Sequence, residues 1–396
     1  MNILIWNSLS ISQGDVFFFN NTFSKTLIRQ CNALAKEGHS VDIIVTECTS
    51  QFSSKIDSSV KQIYFSNNEI FNLMGTYASY DRELYLAKNE DLIKSISLKI
   101  ASKLRKSYDA ILLWETPVPF LKYLFPSAII LNQMPGPFCK APYPHMITID
   151  LEGLYKQGTL YLNSSSVLNY QSTCSLFNDF KNTSTDIFSA LNPFKKQLNY
   201  LEDQFKRLSL LPLQVTEHYN FKCDTKYNSQ AEFLYDVLEK TKPDNGLIVT
   251  QYISKSVSDK CITPEFCQLL RRNYKNFFYD EVFDSVVAPS QYIVPQVDEL
   301  VSCSSSLAFQ AMMFNKKIRI FGKTFVEPYA SKHFVSEYEK KNKYESCCKF
   351  ILEKYSCLAS NILEGKFLSN YLEEAIHKKK CNSIDKYPSL LELSRS

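Results

Sequence analysis

The sequence predicts an α/β protein with two doubly wound halves in tandem. Short apolar runs of about four to six residues alternate with helical patterns. This alternation occurs in the first part of the chain and again after residue 207. The chain has 396 residues, which is too long for one ordinary core, and its apolar fraction of 45% is typical of a soluble globular protein.

The first half begins with a βαβ pattern, which implies a pair of parallel strands. Its elements, in order, are a strand at 2–6, a polar loop with Gly14, a helix with apolar Leu27, Cys31 and Leu34, a helix stop at Gly38 and a strand at 41–45. A helix across 88–106 and strands at 110–114 and 128–131 follow. The proline-rich segment PGPFCKAPYPH excludes a helix or central strand, and MITID is the next predicted strand.

Residues 163–207 are polar and helical, which indicates an inter-domain region. The second half has predicted strands at 208–215 and 247–252 and in the segments FDSVVA, ELVSC and KIRIF. The sequence therefore predicts an N-terminal domain at 1–200, a second domain at 201–345 and C-terminal helices with a polar tail at 346–396.

Charge and residue usage exclude several classes of function. The net charge of +4 is too small to indicate nucleic-acid binding, although it permits weak attraction to an acidic membrane surface. The start of the chain lacks the pattern of a signal peptide, and no apolar run reaches the roughly 20 residues of a spanning helix. Twelve scattered cysteines without a C-x-x-C pair favour reduced thiols in the cytoplasm. We expect no metal site, because the chain has no H-x-x-x-H or Asp-x-Asp pattern.

A serine-rich turn lies between a predicted strand and helix in ELVSCSSSLAFQAMMFNKKIRIFG. Free N–H groups at a helix start, together with the hydroxyls of Ser304, Ser305 and Ser306, would suit a phosphate. Lys323, after the next strand, could add positive charge. The alternative interpretation is that these serines only cap the helix.

Carboxylates follow three predicted strands. A carboxylate at such a position can act as a base or a nucleophile, but it can equally be a cap or a solvent-facing residue. His218, beside Glu217, could be a base, a phosphate partner or an ordinary loop histidine. The acids are Glu115 after AILLW, Asp150 and Glu152 after MITID, and Glu217 and Asp224 after LLPLQV.

Several segments together resemble the bacterial capsule and O-antigen glycosyltransferases, in particular the retaining β-Kdo transferases. The resemblance spans most of residues 1–330. It implies a GT-B fold, in which two Rossmann-like doubly wound domains face each other across a cleft, and it implies CMP-β-Kdo as donor. The segments are ILIW with a following GD, ILNQMPGP, ITIDLEGLYKQGTL, LLPLQVTEHYNF, LIVTQY and VDELVSCSSSLAFQAMMFNKKIRIFG.

The resemblance also implies residue roles. Ser304, Ser305 and Ser306 would hold the cytidine monophosphate, Asp150 or Glu152 would supply one catalytic acid, and Asp224 or Glu217 would be the nucleophile, with Asp224 favoured. The loop with Gly14 and Asp15 would hold the acceptor. The chain departs from the family in two places. Gln251 and Tyr252 stand where relatives have a histidine, and Gln310 stands where many have glutamate. We count Gln251, Tyr252 and Lys323 among the expected nucleotide contacts.

The sequence thus predicts a cytoplasmic, metal-independent glycosyltransferase of surface polysaccharide (lipopolysaccharide O-antigen or capsule) biosynthesis. It would transfer Kdo from CMP-β-Kdo, with retention and without a cofactor, to an oligosaccharide or lipid-linked acceptor at the inner face of the cytoplasmic membrane. Nucleic acid is not an expected partner. The alternatives are a transferase that uses a UDP-sugar or another CMP-sugar, and a non-catalytic sugar-binding subunit of the same pathway.

Overall fold

A computed structural model of the chain describes residues 1–9, 21–74, 80–252, 260–381 and 383–394. The chain divides into two compact units, neither of which is one continuous stretch. The first unit consists of Met1–Pro135, Ile147–Leu162 and Glu353–Ser396, and the second of Gly136–Met146 and Asn163–Leu352.

The strands are numbered in chain order. They are β1 (Asn2–Trp6), β2 (Ser40–Thr46), β3 (Lys61–Phe65), β4 (Ala110–Trp114), β5 (Ile129–Pro135), β6 (Met146–Asp150), β7 (Arg207–Pro212), β8 (Asn245–Thr250), β9 (Phe277–Phe278), β10 (Glu299–Ser302), β11 (Lys317–Ile320) and β12 (Ser356–Leu358).

The α-helices are numbered in the same way. They are α1 (Ile28–Lys36), α2 (Asn67–Met74), α3 (Tyr80–Leu86), α4 (Glu90–Ala101), α5 (Pro119–Leu124), α6 (Thr159–Leu162), α7 (Ser164–Leu168), α8 (Leu176–Leu191), α9 (Lys195–Glu202), α10 (Tyr219–Asp224), α11 (Gln230–Lys240), α12 (Pro264–Asn273), α13 (Pro289–Ile293), α14 (Leu307–Met313), α15 (Glu337–Phe350), α16 (Gly365–His377) and α17 (Leu390–Leu393).

The first unit is built on a seven-stranded sheet in the order β12-β6-β5-β4-β1-β2-β3. Its central pairs are parallel, whereas β6 runs antiparallel to β5. Alternate residues of β1 belong to two hydrophobic cores, one on each face of the sheet. Ile3 and Ile5 pack on one face, and Leu4 and Trp6 pack on the other. A sheet covered on both faces explains why its inner strands β1 and β4 are almost continuously apolar.

The C-terminal segment completes the first unit, which corrects the prediction of separate helices and a polar tail at 346–396. Strand β12 joins the sheet, and Leu368 and Leu372 of α16 belong to the same core as Ile3. Helix α16 lies close to α1, since a Cβ on Gly365 would be 2.6 Å from the carbonyl oxygen of Ala33. This segment is therefore held by packing, as its buried apolar face requires.

The second unit has five parallel strands in the order β11-β10-β7-β8-β9. Counted from β7, this is the 3-2-1-4-5 order of a Rossmann-like sheet, with its switch point between β7 and β10. The first sheet follows the same order through β3, β2, β1, β4 and β5, with its switch point between β1 and β4. The predicted class, α/β with two Rossmann-like doubly wound halves, is confirmed.

The predicted domain boundary near residue 200 differs from the structure, because residues 163–200 belong to the second unit. Helix α8 packs against the proline-rich segment 136–146 through aromatic rings. Phe180 lies 5.1 Å from Phe138 and 5.7 Å from Tyr143, between ring centroids. Buried aromatic contacts of this kind exclude the role of a loose connector.

One predicted strand is wrong. The segment FDSVVA contains the end of a 3₁₀ helix, Glu281–Ser285, followed by Ala288 with a φ of 55°. The side chain of Asp280 accepts a hydrogen bond of 3.0 Å from the Val282 amide and so starts a helical turn. Two other strands end earlier than expected, at Pro212 and Thr250, and strands β3, β9 and β12 were missed.

Two helices predicted in the first half are present in the structure. The helix expected over 88–106 spans Glu90–Ala101, and the residues expected on the buried face of the first helix, including Cys31 and Leu34, are buried. Gly38 has a φ of 83°, a left-handed conformation that ends a helix. Within the described ranges, no helix is long and apolar enough to cross a membrane.

Candidate functional site at the carboxyl edge of the second sheet

The loops that follow β7 and β10 leave the second sheet at its switch point. In an open parallel sheet, the crevice at this point is where ligands bind, outside the carboxyl ends of the strands. The loops after β8 and β11 leave from the same edge, because all five strands are parallel. We therefore take this carboxyl edge as the candidate site.

A chain of hydrogen bonds joins the two loops at the switch point. Ser304 Oγ donates to Gln214 Oε1 at 3.1 Å, and the main-chain N–H of Gln214 donates to Gln230 Oε1 at 3.0 Å. The main-chain N–H of Gln230 in turn donates to Thr216 Oγ1 at 3.4 Å. Ser304 is 2% exposed, so its hydroxyl fixes the loops and does not face solvent.

The other two serines of the turn are half-buried. Ser305 Oγ accepts a hydrogen bond of 3.3 Å from the Leu307 amide, as a helix-capping serine does. Ser306 is the N-cap residue of α14, but its side chain makes no capping hydrogen bond. Of the three serines predicted to bind phosphate, Ser305 and Ser306 are thus at the surface and Ser304 is not.

The loop after β11 packs against the serine turn. The hydroxyl of Thr324 donates to the carbonyl of Cys303, and Gly322 adopts a left-handed φ of 110°. A Cβ on Gly322 would lie 3.3 Å from the carbonyl oxygen of Asp224. Lys323, the predicted phosphate contact, is exposed between these anchored neighbours.

The two candidate nucleophiles of the second unit differ in environment. The side chain of Glu217 is 71% exposed and pairs with Lys222 at 3.1 Å. Asp224, at the end of α10, is 8% exposed and adjoins Gly322. His218 caps α10, because its Nδ1 accepts a hydrogen bond of 3.4 Å from the Asn220 amide.

Gln251 is buried and fully engaged, which argues against the predicted nucleotide contact. Its Nε2 donates to the Tyr279 hydroxyl at 2.7 Å and to Asp284 Oδ2 at 3.1 Å, and its Oε1 accepts from the Ile262 amide at 2.9 Å. Burial raises the pKa of Tyr279, so its hydroxyl stays protonated and donates to Asp284. The amide of Gln251 therefore organises the end of β8.

Tyr252, by contrast, is available at the surface. Its side chain is 39% exposed, and Lys140 Nζ lies 4.7 Å from its ring centroid. Such a cation over an aromatic face fixes the ring. Gln310, expected near the nucleotide, is 1% exposed and donates to the Pro137 carbonyl at 2.7 Å, so it anchors segment 136–146 to α14.

In the first unit, Asp150 is completely buried. Its carboxylate accepts six hydrogen bonds from residues of two chain segments. The donors are the amides of Glu152 (2.7 Å), Gly153 (3.3 Å) and Thr159 (2.8 Å) and the hydroxyls of Thr159 (3.2 Å), Tyr355 (2.7 Å) and Tyr387 (3.0 Å). Burial raises the pKa of Asp150, while these hydrogen bonds oppose the rise.

This environment argues against Asp150 as a catalytic acid, because no substrate can reach a carboxylate without solvent exposure. Its role is to join β6 to the C-terminal segment through Tyr355 and Tyr387. Glu152 forms an ion pair with Lys386, a second link between the same segments. The sequence offered no signal for these partners, which lie more than 200 residues away along the chain.

Glu115 is a carboxylate at the carboxyl edge of the first sheet, directly after β4. The Tyr155 hydroxyl donates a hydrogen bond of 2.5 Å to Glu115 Oε1. Both residues have positive φ, 40° for Glu115 and 52° for Tyr155. Strained non-glycine residues persist where packing enforces them, and they are enriched at functional sites. The predicted acceptor residues Gly14 and Asp15 lie outside the described residues.

A metal ion would need several converging ligands. In the described parts of the chain, no group of three or more histidine, cysteine, aspartate or glutamate side chains is placed to hold one.

No protein-family model matches the sequence, and no curated protein matches it. The chain is similar in structure to the β-Kdo 2,7 transferase of Thermosulfurimonas dismutans KpsC, with a TM-score of 0.43 and 14% identity over 73% of this chain and 94% of that chain. The β-Kdo 2,4 transferase of the same protein has a TM-score of 0.33 and 11% identity over 61% and 79%.

UDP-GlcNAc 2-epimerase from Neisseria meningitidis, solved with bound UDP-GlcNAc, is also similar in structure. Its TM-score is 0.26, with 11% identity over 88% of this chain and 97% of that chain.

Proposed function

We propose that the protein is a glycosyltransferase that binds a nucleotide sugar at the carboxyl edge of its second unit. The observation that carries this proposal is the hydrogen bond between Ser304 and Gln214, which ties the loops after β7 and β10 together at the switch point. The switch point of a 3-2-1-4-5 sheet is the usual position of a nucleotide in such folds.

The surface residues of this edge are suited to a nucleotide. Ser305 and Ser306 supply hydroxyls and Lys323 supplies a cation, which together would bind a phosphate. The exposed ring of Tyr252, held by Lys140, offers a face on which a base can stack. Ser304 supports this surface from beneath.

The donor that the sequence resemblance favours is CMP-β-Kdo, in a GT-B enzyme of O-antigen, lipopolysaccharide or capsule synthesis. In a retaining double displacement, a carboxylate attacks the anomeric carbon and CMP leaves with the bonding electrons. The acceptor hydroxyl then displaces the carboxylate and gives its proton to a base. Asp224 is our candidate nucleophile, because a shielded carboxylate is less solvated than the exposed Glu217.

We assign the acceptor to the first unit. Its sheet has its own switch point between β1 and β4, and Glu115 stands at the end of β4 with its carboxylate oriented by Tyr155. The loop with Gly14 and Asp15 follows β1 in sequence. The acceptor class would be an oligosaccharide or a lipid-linked glycan at the cytoplasmic face of the membrane.

Release of free nucleotide from a panel of CMP-, UDP- and GDP-sugars tests the donor. We expect CMP release from CMP-β-Kdo in the presence of a glycan acceptor, unaffected by EDTA. Turnover only with UDP- or GDP-sugars would refute the donor assignment. Binding of CMP without any transfer would instead support a non-catalytic sugar-binding subunit.

Ser306→Glu tests the location of the donor. A carboxylate at the N-cap of α14 repels phosphate, so calorimetric titration should show CMP affinity reduced by about tenfold or more. Ser165→Glu, an exposed serine of α7 in the same unit, is the matched control and should bind CMP like the native protein. Equal affinity in both variants would move the nucleotide away from the serine turn.

A further inference from the structure

A second charged site lies at the opposite edge of the second sheet. A cavity of about 450 Å³ opens there, and its lining includes the first residues of four strands. Because the amino ends of parallel strands lie opposite their carboxyl ends, this cavity is separate from the candidate nucleotide site. We call it the amino-edge pocket; it is lined by Lys206, Arg207, Lys240, Thr241, Lys242, Asp244, Asn245, Glu299, Lys317 and Arg319.

The lining of the amino-edge pocket is strongly positive. It contains six lysine or arginine side chains but two carboxylates, a surplus of four positive charges in one cavity. That surplus equals the net charge of the whole chain, which is +4. A positive surplus of this size in one cavity produces a local positive potential.

Carboxylates offset these cations only in part. Lys240 pairs at 2.8 Å with Asp236, which lies outside the lining, and the two carboxylates of the lining leave a positive surplus. Glu299 is nearly buried and is shared by Lys317 at 3.2 Å, Arg319 at 3.0 Å and the Ser209 hydroxyl at 3.1 Å. Asp244 pairs with Lys206 across 3.5 Å, with both side chains mostly exposed. An exposed pair at this distance contributes little and leaves Lys206 available.

Two cations of the pocket have no ion pair within the described ranges, namely Arg207 and Lys242, and both are exposed. Arg319 is also incompletely satisfied. It contacts Glu299 and Thr241, but its buried Nε has no hydrogen-bond partner among the described residues. Uncompensated cations gathered in a cavity repel one another, and a bound anion removes that repulsion.

We propose that the amino-edge pocket binds a ligand with two or more phosphoryl groups. Lysine and arginine are the side chains that hold phosphate, and the volume of the pocket suits a small phosphorylated group. The phosphoryl groups can belong to a free phosphorylated compound or to the headgroup of an anionic lipid. This site is independent of the proposed transferase reaction, since none of its residues belongs to the candidate nucleotide site.

The test compares a charge-reversed pocket with a charge-matched control. Arg207→Glu combined with Lys242→Glu changes the two unpaired cations. Lys195→Glu combined with Lys196→Glu makes the same change in net charge at exposed positions of α9 in the same unit. Arg207→Gln with Lys242→Gln is the milder version, to be used if the reversed variant fails to fold.

Two probes distinguish the sources of phosphate. Inorganic pyrophosphate is titrated calorimetrically at low ionic strength. Vesicles of phosphatidylcholine with or without cardiolipin, a lipid with two phosphoryl groups, are used in flotation. We expect the pocket variant to lose about tenfold or more in affinity for one probe, while the control keeps the native affinity. Loss of affinity for pyrophosphate identifies a free phosphorylated ligand, and loss of affinity for cardiolipin vesicles alone identifies a lipid headgroup.

If the pocket variant and the α9 control bind both probes equally, the proposal is overturned. CMP release is measured on the same proteins as a control for the proposed transferase activity. A loss of pyrophosphate or vesicle binding with unchanged CMP release is an effect on the amino-edge pocket alone.

Discussion

Asp150 illustrates how burial decides the role of a single carboxylate. In the sequence it stands at a strand end, where catalytic acids are common. In the structure it accepts hydrogen bonds from Tyr355 and Tyr387 and is closed to solvent. A buried carboxylate with many donors holds chain segments together, and removing it leaves those donors unsatisfied.

The titration of Asp150 gives the first prediction. Its pKa is raised by burial, so the folded state binds the proton more tightly than the unfolded chain does. The stabilisation from this proton is complete at low pH and is lost as pH rises through the folded pKa. Urea unfolding at several pH values should therefore show the free-energy difference between the native protein and Asp150→Asn decreasing as pH rises from about 4.

Tyr387→Phe is the control for that experiment, because it keeps the carboxylate and removes one of its donors. It should cost about 1–3 kcal/mol of unfolding free energy and still lose stability as pH rises, at least as strongly as the native protein, because the carboxyl group is present and has lost a donor to its charged form. If Asp150→Asn retains that dependence as well, another group is responsible for it.

Asp224 and Glu217 give the second prediction at this scale. Asp224→Asn should lower turnover by roughly 10²–10⁴-fold with CMP affinity unchanged, because only the charged carboxylate can attack. Glu217→Gln, which changes an exposed and ion-paired residue, should lower turnover by less than about tenfold. Turnover and CMP affinity are measured for both variants. A larger loss of turnover in Glu217→Gln than in Asp224→Asn would make Glu217 the nucleophile.

At the scale of elements, the approach of α16 to α1 depends on the absence of a side chain. Gly365 begins α16, and an added Cβ would be 2.6 Å from the Ala33 carbonyl oxygen and 2.9 Å from Glu37 Cγ. Alanine is normally the better helix residue by about 1 kcal/mol. Here the carbonyl group of Ala33 cannot move aside without shifting helix α1. The steric clash of the added Cβ therefore outweighs the higher helix propensity of alanine.

Gly365→Ala should therefore destabilise the protein by about 1–3 kcal/mol, as overpacking does. Thermal or urea unfolding measures the change. Glu373→Ala, at an exposed position of the same helix, should stay within about 0.5 kcal/mol of the native protein. Equal or greater stability in Gly365→Ala would contradict the close packing.

The serine turn shows how far an element can be predicted. Its location between a strand and a helix was correct, since β10 ends at Ser302 and α14 begins at Leu307. The sequence could not predict which of the serines is buried and which are at the surface. Whether Ser304 faces solvent depends on Gln214, a residue 90 positions away that the sheet order brings beside it.

At the scale of the whole molecule, the two units are interleaved along the chain. Segment 136–146 belongs to the second unit, 147–162 to the first, and the chain returns to the first unit at residue 353. Each unit therefore needs distant segments to close its core. This arrangement makes the C-terminus essential to the first unit, which its N-terminal residues alone cannot complete.

A chain that ends at Leu352 should consequently lose the cooperative unfolding of the first unit. It lacks β12, α16 and both tyrosines that bind Asp150. Hydrogen exchange of peptides from residues 1–135 measures the loss of protection. A chain that ends at Pro388 keeps Tyr387 and should remain much better protected. Native-like protection after truncation at Leu352 would disprove the requirement.

The sequence by itself determined the α/β class, most of the strands and the position of the serine turn. These features follow from the spacing of apolar residues and from turn residues, which are local properties of the chain. Only the tertiary structure decided that residues 353–396 complete the first unit, that Asp150 and Gln251 are buried and that six cations meet in one pocket. The physical reason is that burial, hydrogen bonding and charge clustering depend on residues that the fold brings together from distant positions.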